Sequence, residues 1–174
     1  FRSFETLHPF HDGNGRLGRL LMTMQLVQSG TLTEPTLTVS PWFEARRADY
    51  YDRLFAVSAS GDWDSWLSFY AAGLADSATA TRKQMLELVR VRHEMLDVVT
   101  TSSLRAATAF SLVDYAVAHP SFTIRQVERD LAVSYARANR LVEQLCDLDL
   151  LRELSVGGSS RRFHSPEILR VLSA

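Results

Sequence analysis

The chain has 174 residues, 46% hydrophobic and 22% charged, with a net charge of −1. That balance suits one globular domain or two small ones, and it gives no overall attraction to nucleic acid or to an anionic membrane. Its one cysteine, Cys146, excludes an internal disulfide and suits a reducing compartment, and no apolar run approaches the ~20 residues that span a bilayer.

These features set the expectation of a cytoplasmic protein without a membrane partner. Of 19 basic residues only Lys83 is a lysine, a bias that points to a GC-rich bacterial genome.

The first chemistry-bearing stretch is His8-Pro9-Phe10-His11-Asp12-Gly13-Asn14-Gly15-Arg16-Leu17-Gly18-Arg19. From Arg16 to Val27 the sequence predicts a helix, with Leu17, Leu20, Leu21, Met24 and Val27 following the i, i+3, i+4, i+7 pattern. Gly13, Asn14 and Gly15 then sit at a helix N-terminus, where unpaired N–H groups and the positive dipole end favour an anion. Asn14 is a turn or capping residue in that setting.

Arg16 and Arg19 project from neighbouring positions of the first helical turn, and their guanidinium forks suit phosphate oxygens. Asp12 is placed to hold Mg²⁺, which takes one or two carboxylates plus substrate phosphates. His8 is suited to accept a proton from an attacking hydroxyl near neutral pH. A transition-metal site on His8, His11 and Asp12 is the weaker reading, because no cysteine or further histidine lies nearby in sequence. No P-loop and no Gly-x-Gly-x-x-Gly pattern is present.

This stretch resembles the signature of the Fic (filamentation induced by cAMP) family, His-Pro-Phe-x-(Asp/Glu)-Gly-Asn-Gly-Arg-x-x-Arg, with every specified position filled. The resemblance implies that His8 deprotonates a target hydroxyl and that Asp12 binds Mg²⁺. It likewise implies that Gly13, Asn14 and Gly15 form the anion hole, that Arg16 and Arg19 hold the β- and γ-phosphates of ATP, and that Phe10 points into the core. The implied reaction moves AMP from ATP onto a Tyr, Thr or Ser of a target protein. The Doc-type kinase branch carries Lys where this chain has Gly15, so the resemblance favours nucleotidyl transfer without identifying the nucleotide.

The signature begins only seven residues after Phe1. That sets the expectation of the C-terminal part of a longer protein, with the earlier helices and the target-docking β-hairpin of the family core lying upstream. Fic proteins are often restrained by a helix bearing (Ser/Thr)-x-x-x-Glu-(Gly/Asn). No glutamate of this sequence matches, and an upstream helix with Arg19 as its partner is the expectation.

Ser40-Pro41 reads as an N-cap followed by Pro at the first helical position, opening a helix that Ser60-Gly61 ends. Asp62 or Asp64 caps the next helix, which carries Trp63, Trp66, Leu67, Phe69 and Tyr70; a further helix is expected from about Thr81 to Val99. The aromatic residues here read as core. Leu37–Phe43, Asp49-Tyr50-Tyr51 and Gly61–Trp66 again resemble the region after the signature in bacterial Fic proteins, so the resemblance extends loosely over residues 1–100.

From about Ala106 the texture changes. A helix from Ala106 to Ala118, a short one from Ile124 to Leu131 capped by Thr123, a third capped by Ser134, and a hairpin turning at Gly157-Gly158 resemble a winged helix-turn-helix domain over residues 105–174. Its candidate DNA contacts are Tyr135, Arg137, Asn139 and Arg140 on the recognition helix, with Arg161 and Arg162 on the wing. Nine arginines against eight acidic residues leave this part only weakly basic, so DNA is the less favoured partner. Such modules also serve protein interaction or homodimerisation.

The sequence therefore predicts a mainly α protein: the C-terminal part of a Fic-type helical core over 1–100, then a winged helix-turn-helix domain with a small β-hairpin. The expected function is protein adenylylation with ATP and Mg²⁺, acting on a protein hydroxyl. A transcriptional regulator using the Fic part as a nucleotide sensor, or transfer of another nucleotide, is the alternative. Sensing needs no proton acceptor, so His8 favours catalysis.

Overall fold

The computed structural model describes residues 9–104, 106–154 and 161–173. It is mainly helical with one small sheet and falls into two compact units, residues 1–83 and 84–174. No helix among the described residues is long and apolar enough to cross a membrane.

The first unit holds α1 (Asn14–Gln28), α2 (Ser40–Ala45), α3 (Arg47–Ser60) and the first part of α4 (Trp63–Thr101). Its core is a cluster of Met22, Val39, Phe43, Tyr50, Val57, Trp66 and Phe69. The apolar stripe of α1 is largely exposed: Leu17, Leu20, Leu21 and Met24 are all more than a third accessible, while Gly18, Met22 and Thr23 are buried. The reason is geometric. Arg19 bonds to Ser40, and Gly15, Gly18, Met22 and Thr23 share its side of the helix, so the opposite side faces away from the cluster.

The helix expected from Ser40 to Ser60 is two helices, broken at Arg46 (φ −119, ψ 35). Seven residues of unbroken helix would separate Phe43 and Tyr50 by roughly 10 Å along the axis. The break brings their rings to 5.9 Å, edge to face. Gly61, in the left-handed region at φ 74, ends α3 as expected.

The two helices expected between residues 62 and 99 are one continuous helix, α4. Asp62 caps it, its Oδ1 accepting the Ser65 N–H at 3.1 Å. The inward stripe does not stop between Tyr70 and Leu88; it passes through Gly73, Ser77, Thr81 and Gln84, small or polar residues that a hydrophobic pattern does not register. Thr81 receives the Thr38 N–H, and Gln84 donates to the Val171 carbonyl.

The second unit holds the rest of α4, then α5 (Ala107–Ala118), β1 (Phe122–Thr123), α6 (Ile124–Asp130), α7 (Tyr135–Asp147), β2 (Arg152–Leu154), β3 (Arg162–His164) and α8 (Pro166–Leu172). The sheet order is β1-β3-β2, all antiparallel, with Phe122 opposite Phe163 and Glu153 opposite Phe163. Val91, Met95 and Val99 of α4 join Leu112, Val127, Val142, Phe163 and Ile168 in its core. Thr123 and Gln126 form a reciprocal capping box on α6, and Ser134 accepts the Arg137 N–H to cap α7. The sequence did not predict β1 or α8, and the expected Gly157-Gly158 turn lies outside the described residues.

Candidate nucleotide site

Gly13 takes φ 81 and forms the N-cap position of α1, which no side chain caps. Asn14 is the first helical residue, and it is buried, with 4% of its surface accessible. Its Nδ2 donates to the Phe10 carbonyl at 2.6 Å and its Oδ1 accepts the Phe10 N–H at 3.0 Å. The side chain is thereby committed to the loop, and what Asn14 offers an anion is its backbone N–H. This corrects the expected anchor: the Phe10 ring is 53% accessible rather than in the core, and the loop is fixed through the Phe10 backbone.

Asp12 turns back on the same loop. Its Oδ1 accepts the Gly13 N–H at 2.6 Å, and its Oδ2 pairs with Arg16 at 3.2 Å. Arg19 is half-buried and donates from Nε to Ser40 Oγ at 2.9 Å. Both guanidiniums lie against the glycines: a Cβ on Gly13 would meet Arg16 Nη2 at 3.6 Å, and one on Gly15 would meet Arg19 Nη1 at 3.3 Å.

These residues open onto a cleft of about 370 Å³. One wall is His11, Asp12, the Gly13-Asn14-Gly15 turn, Arg16 and Arg19; the other is Phe43, Glu44, Arg47, Tyr50 and Tyr51. Three arginines and two carboxylates line it, together with the N-terminus of α1, so the cleft carries a net positive field. Arg47 pairs with Glu44 at 3.6 Å and lies 5.7 Å from the Tyr51 ring centre. Both ion pairs are solvent-exposed, worth about 0–1 kcal/mol each, and give way readily to a phosphate ligand.

The structure thus brings Asp12, Gly13, Asn14, Gly15, Arg16 and Arg19 to one cleft, while His8 lies outside the described residues. The far wall was not read from the sequence, where Tyr50 and Tyr51 look like core. Tyr50 is core at 8% accessible, but Tyr51 is 49% accessible. The spacing of Arg47 and Tyr51, four apart and so on one helix face, is the signal that could have found it. Among the described residues no three His, Cys, Asp or Glu side chains converge as a metal-ligand set.

The candidate DNA contacts lie in the second unit. Arg137 donates to Thr108 Oγ1 at 2.9 Å, Asn139 to Glu143 at 2.8 Å, Arg161 to Glu153 at 2.9 Å and Arg162 to Ser121 at 3.1 Å. Tyr135 lies under the Arg125 guanidinium at 4.7 Å, and Arg140 is exposed. A cleft of about 320 Å³ beside Arg161 is lined in part by Glu143, Asp147, Asp149 and Glu153. Its Cys146 thiol is pushed above its ordinary pKa, chiefly by burial, which leaves it a poor nucleophile.

Residues 1–26 match the family model described as the Fic/DOC family. Over 29 residues the chain is 59% identical to a protein of Aquifex aeolicus (strain VF5) named as a probable protein adenylyltransferase. The match spans 17% of this chain and 9% of that relative. Through the segment that builds the glycine turn and its two arginines, the chain is similar to the Fic/DOC family.

Proposed function

We propose that the protein is a nucleotidyltransferase that moves AMP from ATP to a Tyr, Thr or Ser hydroxyl of a target protein. The observation that carries this reading is the cleft: an uncapped helix N-terminus entered through a left-handed glycine, with Arg16, Arg19 and Arg47 around it. The backbone N–H groups of the turn bind phosphate oxygens, and Arg16 and Arg19 take the β- and γ-phosphates. Tyr51 offers a ring for the base. The relative matched over 29 residues, named a probable protein adenylyltransferase, supports the same reaction.

His8 accepts the proton of the attacking hydroxyl as its oxygen bonds to the α-phosphorus. The bond from that phosphorus to the bridging oxygen breaks, and pyrophosphate leaves with its charge held by Arg16 and Arg19. Asp12, an exposed carboxylate on the phosphate side of the turn, fits Mg²⁺, which keeps most of its waters and takes one carboxylate plus substrate oxygens. Bound there, Mg²⁺ supplies charge compensation on the phosphates. Asp12 must first leave Arg16, at the small cost of a surface pair.

The test is incubation with ATP labelled at the α- or the γ-phosphate, Mg²⁺ and a host lysate, followed by intact-mass analysis, beside the His8→Ala variant. An added AMP mass carrying only the α-label, lost in His8→Ala, is the expected result. Transfer of the γ-label would replace this reading with a kinase, and the mass of the adduct with GTP, CTP or UTP would identify another nucleotide.

We further infer that the second unit is a winged helix-turn-helix module, from the order α5, β1, α6, α7, β2, β3 and the tight turn between α6 and α7. Its arginines are largely spent on internal partners and an acidic cleft adjoins the expected wing, which favours a protein partner over DNA. Salt-dependent binding to duplex DNA in a mobility-shift titration would reverse that preference.

A further inference from the structure

We infer that Ser40 is a positioning residue for Arg19, a role that rests on the reading of Arg19 as the arm that meets the terminal phosphates of ATP. A serine directly before a proline ordinarily caps the helix it opens. Here it does not: Val39 is the N-cap, Ser40 is already the first helical residue, and α2 has no side-chain cap. The hydroxyl is used across the chain instead, accepting from Arg19 Nε at 2.9 Å over a sequence separation of 21 residues.

The choice of nitrogen matters. Nε is the inner donor of the guanidinium, so binding it leaves the terminal Nη hydrogens for a phosphate. Arg19 Nη1 is bounded on another side by Gly15, where a Cβ would stand only 3.3 Å away. The Ser40 bond therefore orients the guanidinium at the edge of the cleft, in the room that Gly15 leaves by lacking a Cβ. Ser40 is itself held, since Val39 and Phe43 on either side of it are 3% and 2% accessible. An arginine fixed in advance loses less rotamer freedom when the phosphate arrives.

The test is calorimetric titration of ATP and of AMP, each with Mg²⁺, into the wild-type protein and its Ser40→Ala, Ser40→Thr, Arg19→Ala and Ser40→Ala/Arg19→Ala variants, with thermal melts of each. The expected result is an ATP affinity about tenfold lower in Ser40→Ala. AMP affinity stays unchanged, because AMP lacks the phosphates Arg19 meets. Ser40→Thr, which keeps the oxygen, restores ATP binding, and Ser40→Ala adds nothing once Arg19 is already Ala. Equal loss for both ligands, or no loss for either, overturns the positioning role while leaving the nucleotide site standing. A wild-type protein that binds neither ligand removes the nucleotide reading itself, and the role of Ser40 with it.

Discussion

The Asn14 carboxamide grips the Phe10 main chain at both its polar groups, donating to the carbonyl at 2.6 Å and accepting the N–H at 3.0 Å. This closes the turn that sets Gly13 and Gly15 below the cleft. Asn14→Asp keeps the acceptor but has no N–H to give, and it sets carboxylate oxygen against carbonyl oxygen in a buried position. The expected cost is about 1–3 kcal/mol, the usual penalty for an orphaned buried hydrogen-bonding group. ATP affinity should fall with it, and urea titration beside calorimetry measures both. Unchanged stability in Asn14→Asp would mean that the turn is held by something else.

Gly13 and Gly15 serve the turn in different ways, and alanine at each separates them. Gly13 sits at φ 81 with room around it, since a Cβ there meets nothing closer than 3.6 Å. Gly13→Ala should therefore cost about 1–2 kcal/mol of backbone strain. Gly15 is helical, so alanine there gains up to ~1 kcal/mol of helix propensity while pressing on Arg19 Nη1. The expected pattern is a lower melting temperature with Gly13→Ala, and weaker ATP binding without a lower melting temperature with Gly15→Ala.

The glycine turn and its arginines were legible in the sequence because their geometry is local: a left-handed glycine, an asparagine that bonds the main chain four residues before it, and two arginines one turn apart need no distant partner to be read. The opposite wall of the cleft was not. Tyr51 stands exposed on that wall while Tyr50 beside it is buried, and this depends on the break at Arg46, which no proline or glycine announces. Which side of α1 is buried was not legible either. Leu17, Leu21 and Met24 are the more apolar face, yet tertiary bonding through Arg19 and Ser40 turns the other face inward. In the second unit the capping residues Thr123 and Ser134 placed α6 and α7 closely, because a cap acts within three residues of itself.

Gly73 supports the cleft from behind. It lies in the middle of α4, where alanine would ordinarily be the better helix former by up to ~1 kcal/mol. A Cβ there, however, would stand 2.8 Å from both Phe43 Cζ and Trp42 Cζ3, the rings of α2 that pack on this helix. Trp42 is tied to α4 by its Nε1–H, which donates to Asp76 Oδ2 at 2.9 Å, and so has little room to move. Gly73→Ala is expected to destabilise the first unit by about 1–3 kcal/mol, the range for overpacking. Because α2 carries Ser40 and Phe43, ATP affinity should fall as well. A gain in melting temperature would show that propensity outweighs the clash.

The second unit should lose stability at both ends of the pH scale through one pair, Tyr115 and Asp130. The Tyr115 hydroxyl donates to Asp130 Oδ2 at 2.9 Å, and burial first, then that bond, push the phenol up to about 12. Its folded pKa therefore lies above the unfolded value of about 10. The stability it contributes is complete below about pH 10 and is lost as the pH rises through about 12. Asp130 is shifted the other way: the Arg129 guanidinium, then the Tyr115 hydroxyl, hold its carboxyl below the ordinary range. Its contribution is present above about pH 3.9 and is lost as the pH falls through the depressed value. Urea midpoints measured across pH for wild type and Tyr115→Phe test both limbs. The variant should lose the alkaline limb of Tyr115 entirely and soften the acid one, because Asp130 keeps Arg129 but no longer receives the hydroxyl. An alkaline limb of full size in Tyr115→Phe would assign it to another group.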